Sequence, residues 1–345
     1  MDRLHSDIER ICRQGLDTRA LRSQVMARLE QDVAYDAFCF GTIDPWTLLL
    51  TDDVSDGIPP GSGALASHHE HLVPDVDKFS DLARTGRTVG ILSHSSGGDP
   101  GLSARFRSVL PIFDARHELR AVFMADGECW GALAMFRHGD RADFTPREAS
   151  LVRALSRPVA TALRRASVNG PEPTSSGPTG PGVVVSDAEG RTLAANDTAR
   201  RWLDEISVQA LHEVSAAARA GRGEEAYLRV RSRTGRWLSL WGSPLDGEPH
   251  AGAPAGMVSV SIQPTPTAGI TEILTLVYAL TAREREILQQ VISGRSSTGI
   301  ASVLSMSPYT VQDHLKSIFS KFGVRSRGEL VARALGIQTM RITPH

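Results

Sequence analysis

A stretch rich in proline, glycine, serine and threonine interrupts the middle of this chain and prevents it from folding as one continuous domain. The stretch is NGPEPTSSGPTGPG, at residues 169–182, and it lacks the hydrophobic period of a helix or strand. A shorter break of the same kind, QPTPTAG, occupies residues 263–269. The two breaks predict three folded segments, and a length of 345 residues is enough for two or three domains.

The composition predicts a globular protein in a reducing compartment. Hydrophobic residues make up 41% of the chain and charged residues 22%, so the segments can bury cores. No apolar run approaches the roughly 18 residues of a membrane span, and the N-terminus has no apolar signal core. The cysteines Cys12, Cys39 and Cys129 are odd in number and far apart, which favours free thiols over disulfides or a zinc site. We therefore expect a cytoplasmic protein without membrane contact.

The first segment has the pattern of an α+β domain. Two amphipathic helical patterns precede strand candidates such as DAFCFGTID and CWGALAMFRHG. A long helix is predicted to begin after Thr145, because Glu148 three residues on completes a capping box. Its apolar stripe either packs against the sheet of the same domain or forms a dimer contact. The stripe consists of Leu151, Leu155, Val159 and Leu163.

The middle segment predicts a small sheet. It begins with a strand, GVVVSD, a turn at Glu189 and Gly190, a second strand and a helix at residues 196–203, and further strand candidates follow. Its tryptophans could line a pocket, although buried aromatic rings more often belong to a core. They are Trp202, Trp237 and Trp241.

Sequence signals for catalysis and metal binding are weak. The run HHEH at residues 68–71 offers possible ligands, but adjacent histidines on one exposed helix rarely converge on a metal ion. The sequence contains neither the phosphate-binding motif of large ATP-dependent regulators nor a nucleophile elbow. We therefore expect no metal, no cofactor and no enzyme activity.

The third segment predicts four short helices. Each of three helices begins at a good N-cap, and two of these caps are followed three residues later by a glutamate, Glu284 or Glu329. Glycines stop the first and third helices. The caps are Thr281, Ser307 and Ser326, and the stops are Gly294 and Gly323.

The second and third of these helices are joined by only two or three residues, SMS, which predicts a helix-turn-helix. The third helix starts at Pro308, and about 100° of rotation per residue divides its surface into a core face, an exposed face and a flank. The core face holds Val311, Leu315, Ile318, Phe319 and Phe322. The exposed face holds Tyr309, Gln312, Asp313, Lys316 and Ser320, and the flank holds Thr310, His314, Ser317 and Lys321.

A polar helix face is often only a solvated surface, but three features favour DNA binding here. The helix follows a tight turn, and its N-terminus offers free N–H groups to a phosphate. In addition, residues 270–345 carry nine Lys or Arg against five Asp or Glu, while the chain as a whole has a net charge of -1. The competing hypothesis is a sensor or scaffold protein whose C-terminal helices dock another protein.

The C-terminal segment resembles the LuxR/GerE type of DNA-binding domain. The resemblance is carried by LTAREREILQQVISGRSSTGIASVLSMSPYTVQDHLKSIFSKFGVRSR. It implies an all-α four-helix domain at residues 270–345 that binds double-stranded DNA with the helix from Pro308 in the major groove. The base-facing residues implied are Gln312, Asp313 and Lys316. The implied backbone contacts are Ser307, Tyr309, Thr310, His314, Lys321 and Arg325, with His314 equally suited to packing.

Asp313 is an unusual residue on a surface that faces DNA. Phosphates repel a carboxylate, so Asp313 must either accept a hydrogen bond from a cytosine amino group or be neutralised by Lys316 three residues on. Both alternatives stay open. Because the segment carries little positive charge, we also expect a homodimer on an operator with two half-sites.

The two N-terminal segments resemble sensory domains. Residues 1–166 resemble a GAF domain in AYDAFCFGTIDPWTLLLTD, HELRAVFMADGECWGALAMFRHGD and ADFTPREASLV. Residues 183–264 resemble a PAS domain in VVVSDAEGRTLAANDTARRWL, and residues 167–182 form the linker. The GAF resemblance implies a small-molecule effector, although no residue identifies it. The whole chain is thus predicted to be a multidomain α+β protein.

Overall fold

The computed structural model describes residues 2–169, 178, 180–221, 225–245 and 256–335. Most of the predicted linker, residues 170–177 and 179, lies outside the described residues. The chain divides into two compact units. The first unit contains Met1–Asn169, Pro178–Arg231 and Leu238–Gln263, and the second contains the C-terminal helices. The domain boundaries named above stay a prediction.

The first unit begins with a five-stranded antiparallel sheet of strand order β2-β1-β5-β4-β3. Its strands are β1 (Ala37–Ile43), β2 (Leu50–Asp56), β3 (Val89–Ile91), β4 (Ala115–Ala125) and β5 (Glu128–His138). The helices of this first domain are α1 (Asp2–Cys12), α2 (Thr18–Leu29), α3 (Ser62–His71), α4 (Phe79–Thr85), α5 (Leu92–Ser95), α6 (Ala104–Ser108), α7 (Pro146–Ala154) and α8 (Ser156–Ala166). Two 3-10 turns lie at Pro100–Leu102 and Leu110–Phe113.

The long helix predicted after Thr145 is divided into α7 and α8. The capping box is present, with Thr145 Oγ1 accepting from the Glu148 N–H. The helix breaks at Leu155 because Pro158 has no N–H to donate to the carbonyl of Ala154, and its ring crowds that carbonyl. Val159 and Leu163 are buried, and α8 packs on β4 and β5. The apolar stripe therefore packs against the sheet of its own domain.

The second domain, also in the first unit, repeats the same local strand order, β7-β6-β10-β9-β8. Two helices cover one face of this sheet, and Trp202 lies fully buried between them and the strands. Trp241 is 36% exposed and contacts Tyr227, so only Trp202 of the three tryptophans fits the predicted core role fully. The strands are β6 (Gly182–Ser186), β7 (Thr192–Ala195), β8 (Ala226–Arg231), β9 (Trp237–Pro244) and β10 (Val258–Pro264), and the helices are α9 (Asp197–Leu203) and α10 (Val208–Ala220).

The C-terminal helices belong to the second unit. Four were predicted, and the structure adds a fifth in front of them, α11, whose side chains Ile273, Leu274 and Val277 are buried. The helix propensity of the apolar run ILTLV was underestimated because it begins without a capping side chain. The five are α11 (Thr267–Val277), α12 (Ala282–Ile292), α13 (Ser297–Val303), α14 (Pro308–Phe322) and α15 (Arg327–Leu335).

The architecture confirms the predicted class, multidomain α+β with an all-α C-terminal part. The described residues include no helix with the length and apolar character needed to cross a membrane.

Candidate nucleic-acid interface

A tight turn connects α13 to α14. Ser305 adopts a left-handed conformation with φ of 52°, and the N–H of Met306 donates to the Ala301 carbonyl at 2.9 Å. Ser307 then caps α14, since its Oγ accepts from the N–H of Thr310 at 3.0 Å. Pro308 follows at the first helical position, where its missing N–H costs nothing. This local chemistry fixes the direction in which α14 leaves the turn.

The two faces of α14 agree with the predicted pattern. Its apolar side chains hold it to the domain: Val311, Leu315, Ile318 and Phe322 are buried, and Phe319 is half-buried. The opposite face is exposed, and it carries Tyr309, Gln312, Asp313, Lys316 and Ser320. The core face thus orients the polar face outward.

The side chains of the predicted base-facing residues are only loosely held. Gln312 Nε2 donates to Ser297 Oγ on α13 at 3.1 Å. Lys316 Nζ lies 3.3 Å from Asp313 Oδ1, and both side chains are more than half exposed. An exposed ion pair of this kind contributes about 0–1 kcal/mol, so a base or phosphate can compete for either partner. The neutralising pair exists in the free protein, and the cytosine alternative for Asp313 stays open.

Several of the predicted backbone-contact residues gather at the N-terminal end of α14. Ser307 Oγ and Thr310 Oγ1 lie 2.8 Å apart, and the neighbouring Tyr309 is 75% exposed. His314 is half-buried on the flank, which is compatible with either a phosphate contact or packing. Arg325 follows the helix, and its backbone N–H donates to Glu329 Oε2 at 2.7 Å while its side chain is exposed.

Lys321 differs from the other predicted contacts because its ammonium is engaged inside the domain. It donates to Glu284 Oε2 at 2.7 Å and to the Ala279 carbonyl at 3.0 Å. Of the three N–H donors of a lysine, one remains. The predicted phosphate contact of Lys321 could use only that donor, so we assign its charge chiefly to the stability of the domain.

Glu284 makes tertiary contacts that the sequence pattern missed. It was predicted only as a capping-box partner of Thr281, yet it is buried and also accepts from Ser317 Oγ at 2.6 Å. Burial alone raises the pKa of Glu284, but the hydrogen bonds from Lys321, Ser317 and Thr281 outweigh it and lower the pKa to about 2. This carboxylate therefore connects the start of α12 to the flank of α14.

Other basic side chains also act within the domain. Arg283 Nη2 donates to the Leu304 carbonyl at 2.6 Å, beside the turn before α14. Arg327 Nη2 donates to the Val291 carbonyl at 3.3 Å. Some cationic side chains of the C-terminal part therefore hold the helices together, and others face outward.

The residues of the HHEH run have separate partners. Glu70 accepts from Arg120 Nη2 at 2.8 Å inside the first domain, whereas His71 Nε2 lies 2.8 Å from Glu213 of the second domain. The helix that carries them is not the exposed one that was predicted, since His69 and Glu70 are buried. Within the described residues, no group of three potential ligands comes together as a metal site.

Known proteins match the C-terminal part of the chain. The family of bacterial regulatory proteins called the luxR family (GerE) matches residues 278–334. NarL of Mycobacterium tuberculosis, a probable transcriptional regulatory protein, is 41% identical over 56 residues, which cover 16% of this chain and 26% of NarL. The transcriptional regulatory protein TdiR of Thauera aromatica is 45% identical over 58 residues, 17% of this chain and 26% of TdiR. The chain thus matches only about a quarter of the length of these relatives.

The resemblance to solved structures is weaker. A GAF domain/HD domain protein from Geobacter sulfurreducens is 18% identical, with a TM-score of 0.31, over 43% of this chain and 93% of that chain. SdiA of Escherichia coli is 13% identical, with a TM-score of 0.33, over 97% of this chain and 98% of that chain. Similarities at this level assign no function to the N-terminal domains. The matched residues 278–334 include the tight turn and all of α14, and this part of the chain is a helix-turn-helix domain of the luxR family of bacterial regulatory proteins.

Proposed function

We propose that the chain is a transcription regulator that binds double-stranded DNA with α14 in the major groove. The observation that carries the proposal is the two-sided character of this helix. Its apolar side chains are buried, its polar side chains are exposed, and a tight turn precedes it. A helix held in this way can place its outer face against base edges without unfolding any part of the domain.

The contacts follow from the chemistry of the exposed face. Gln312 can donate to and accept from an adenine, Lys316 can donate to a guanine, and Asp313 can accept from a cytosine. Ser307, Tyr309, Thr310, His314 and Arg325 are proposed to contact phosphates, with a further contact from the remaining donor of Lys321.

The proposal includes a dimer and a controlling signal. A single copy with few outward-facing cations would bind weakly, so two copies on two half-sites would add their contacts. The two domains of the first unit are proposed to receive the signal by binding a small molecule or a partner. The alternative, a bundle that docks a protein, would leave the same helices without sequence-selective affinity for DNA.

Gel retardation with genomic fragments distinguishes these functions. We expect the full chain to retard a subset of fragments selectively, and to lose affinity steeply as salt increases because phosphate contacts release counterions. Uniform retardation of all fragments, or none at low salt, would count against sequence-specific recognition and favour the docking bundle.

A further inference from the structure

Each of the two domains in the first unit contributes a buried acidic side chain that contacts the other domain. Glu213 on α10 of the second domain is only 1% exposed, and it reaches into the first domain. There it accepts from Ser67 Oγ at 2.7 Å and from the backbone N–H of Leu50 at 3.2 Å, and it lies 2.8 Å from His71 Nε2. These three partners lie on α3 and β2, more than a hundred residues away in sequence.

A second carboxylate crosses the contact in the opposite direction. Asp44, after β1 of the first domain, accepts from the Arg229 guanidinium of β8 through both oxygens, each at 3.1 Å. Nearby, Leu49 of the first domain is buried in the apolar core of the second. The two domains therefore meet through a small apolar contact, the buried Asp44–Arg229 ion pair and the hydrogen bonds of Glu213, and they form one compact unit.

The helices at this contact approach closely because small residues face α10. A Cβ on Gly63 would lie 3.0 Å from His212 Nδ1 and closer still to Gln209 Oε1. Gln209 Nε2 also donates to Ser67 Oγ at 3.0 Å and to Glu213 Oε1 at 3.1 Å. This packing leaves Glu213 sheltered from water, where its charge is costly without a cation beside it.

We propose that Glu213 and His71 form a pH-responsive latch that ties the second domain to α3 of the first when His71 is protonated. With a neutral imidazole, the carboxylate would stay buried without its cation, and the contact between α3 and α10 would weaken. Burial alone lowers the pKa of His71, but the charge of Glu213 and its hydrogen bond outweigh burial and raise the pKa. A raised pKa gives stabilisation that is complete below the ordinary value and disappears as pH rises through the folded-state value.

With the other charged groups around it, the pKa of His71 is still raised. Glu70 adds to the raising effect of Glu213 on the pKa of His71, and Lys78 opposes it. On α10, burial lowers the pKa of His212, although the charge of Glu213 acts in the opposite direction. Other ionisable groups also lie on the elements packed around the contact. They are His68 and His69 on α3, Arg105 and Arg107 on α6, Asp52, Asp53 and Asp56 on β2, Arg219 on α10, and Arg229 and Arg231 on β8.

Helix α3 also connects the latch to buried side chains of the first domain. Glu70, next to His71, accepts from Arg120 Nη2 at 2.8 Å, and Arg120 stacks on Phe79 with 3.6 Å between the guanidinium carbon and the ring centre. One helix thus carries the interdomain contact and a buried contact of the first domain.

Hydrogen exchange of the full chain, followed by mass spectrometry and corrected for the intrinsic rate, tests the latch. Between about pH 6 and about pH 9, peptides from α3 and α10 should lose protection together by at least about tenfold. His71→Gln keeps a donor to Glu213 but cannot titrate, so its protection should be low and independent of pH. His5→Gln is the matched control, because His5 pairs with Glu9 at 3.3 Å on the exposed surface of α1, and it should behave like the wild type.

Glu213→Gln provides a second variant, with exchange in β4 and β5 showing that the first domain is folded. It should abolish the pH dependence in α3 and α10. Wild-type protection that does not change with pH, or the same pH dependence in wild type and His71→Gln, would overturn the latch. None of these residues lies on the C-terminal helices, so failure here leaves the proposed DNA binding unaffected.

Discussion

Individual side chains determine how α14 packs against its domain and which polar groups it exposes. Glu284 is the clearest case, since one buried carboxylate accepts from Thr281, Ser317 and Lys321. The sequence pattern identified Glu284 as a helix cap from local spacing alone. Its contact with Lys321 spans 37 residues, and no local pattern reveals a pair so far apart in sequence.

Replacing Glu284 with glutamine should lower the free energy of unfolding of the C-terminal helices by about 2–3 kcal/mol near neutral pH. The folded-state pKa of about 2 lies below the ordinary value, so this stabilisation is present above the ordinary pKa and is lost as pH falls through about 2. Hydrogen exchange of α12 and α14 at several pH values measures both effects. Glu286→Gln, which removes an exposed partner of Arg283 on the same helix, should change little. An equal loss in both variants would contradict the assigned role of Glu284.

At the scale of elements, caps and turns were predicted well because their chemistry is local. Ser307 caps α14 and Gly323 ends it, as the sequence indicates. The break between α7 and α8 was missed, because the four-residue apolar period continues across Leu155 while Pro158 interrupts the hydrogen bonds. Helix α11 was missed for the opposite reason, since it lacks a side-chain cap but is held by buried apolar residues.

Ser307→Ala should destabilise α14 by about 1 kcal/mol, because the N–H of Thr310 loses its acceptor. It should also weaken the proposed DNA binding, since the first turn of α14 would fray. Ser320→Ala removes a hydroxyl from the exposed face of the same helix and is the matched control. Chemical denaturation and exchange in α14 would report the difference, and indistinguishable variants would show that the cap does not position the helix.

At the scale of the whole molecule, two domains with the same local strand order belong to one unit and the C-terminal helices belong to another. From two breaks rich in proline and glycine the sequence predicted three segments, whereas the first two domains lie in one compact unit, and the exact domain boundaries stay a prediction. It did not predict the contact between the first two domains, because Glu213, Asp44 and their partners are joined only by the tertiary fold. The sequence also identified the positive charge of the C-terminal segment. It did not show that Arg283, Lys321 and Arg327 form hydrogen bonds inside the domain.

The most direct measurement is equilibrium binding of Lys316→Ala to a selected operator duplex and to a random duplex over a range of salt concentrations. We expect a loss of about 1–3 kcal/mol on the operator and a much smaller loss on the random duplex, because Lys316 is proposed to contact base edges. Arg285→Ala removes the same charge from the exposed surface of α12 and should affect both duplexes equally and slightly. Equal losses of Lys316→Ala on the two duplexes would contradict recognition of DNA sequence by α14.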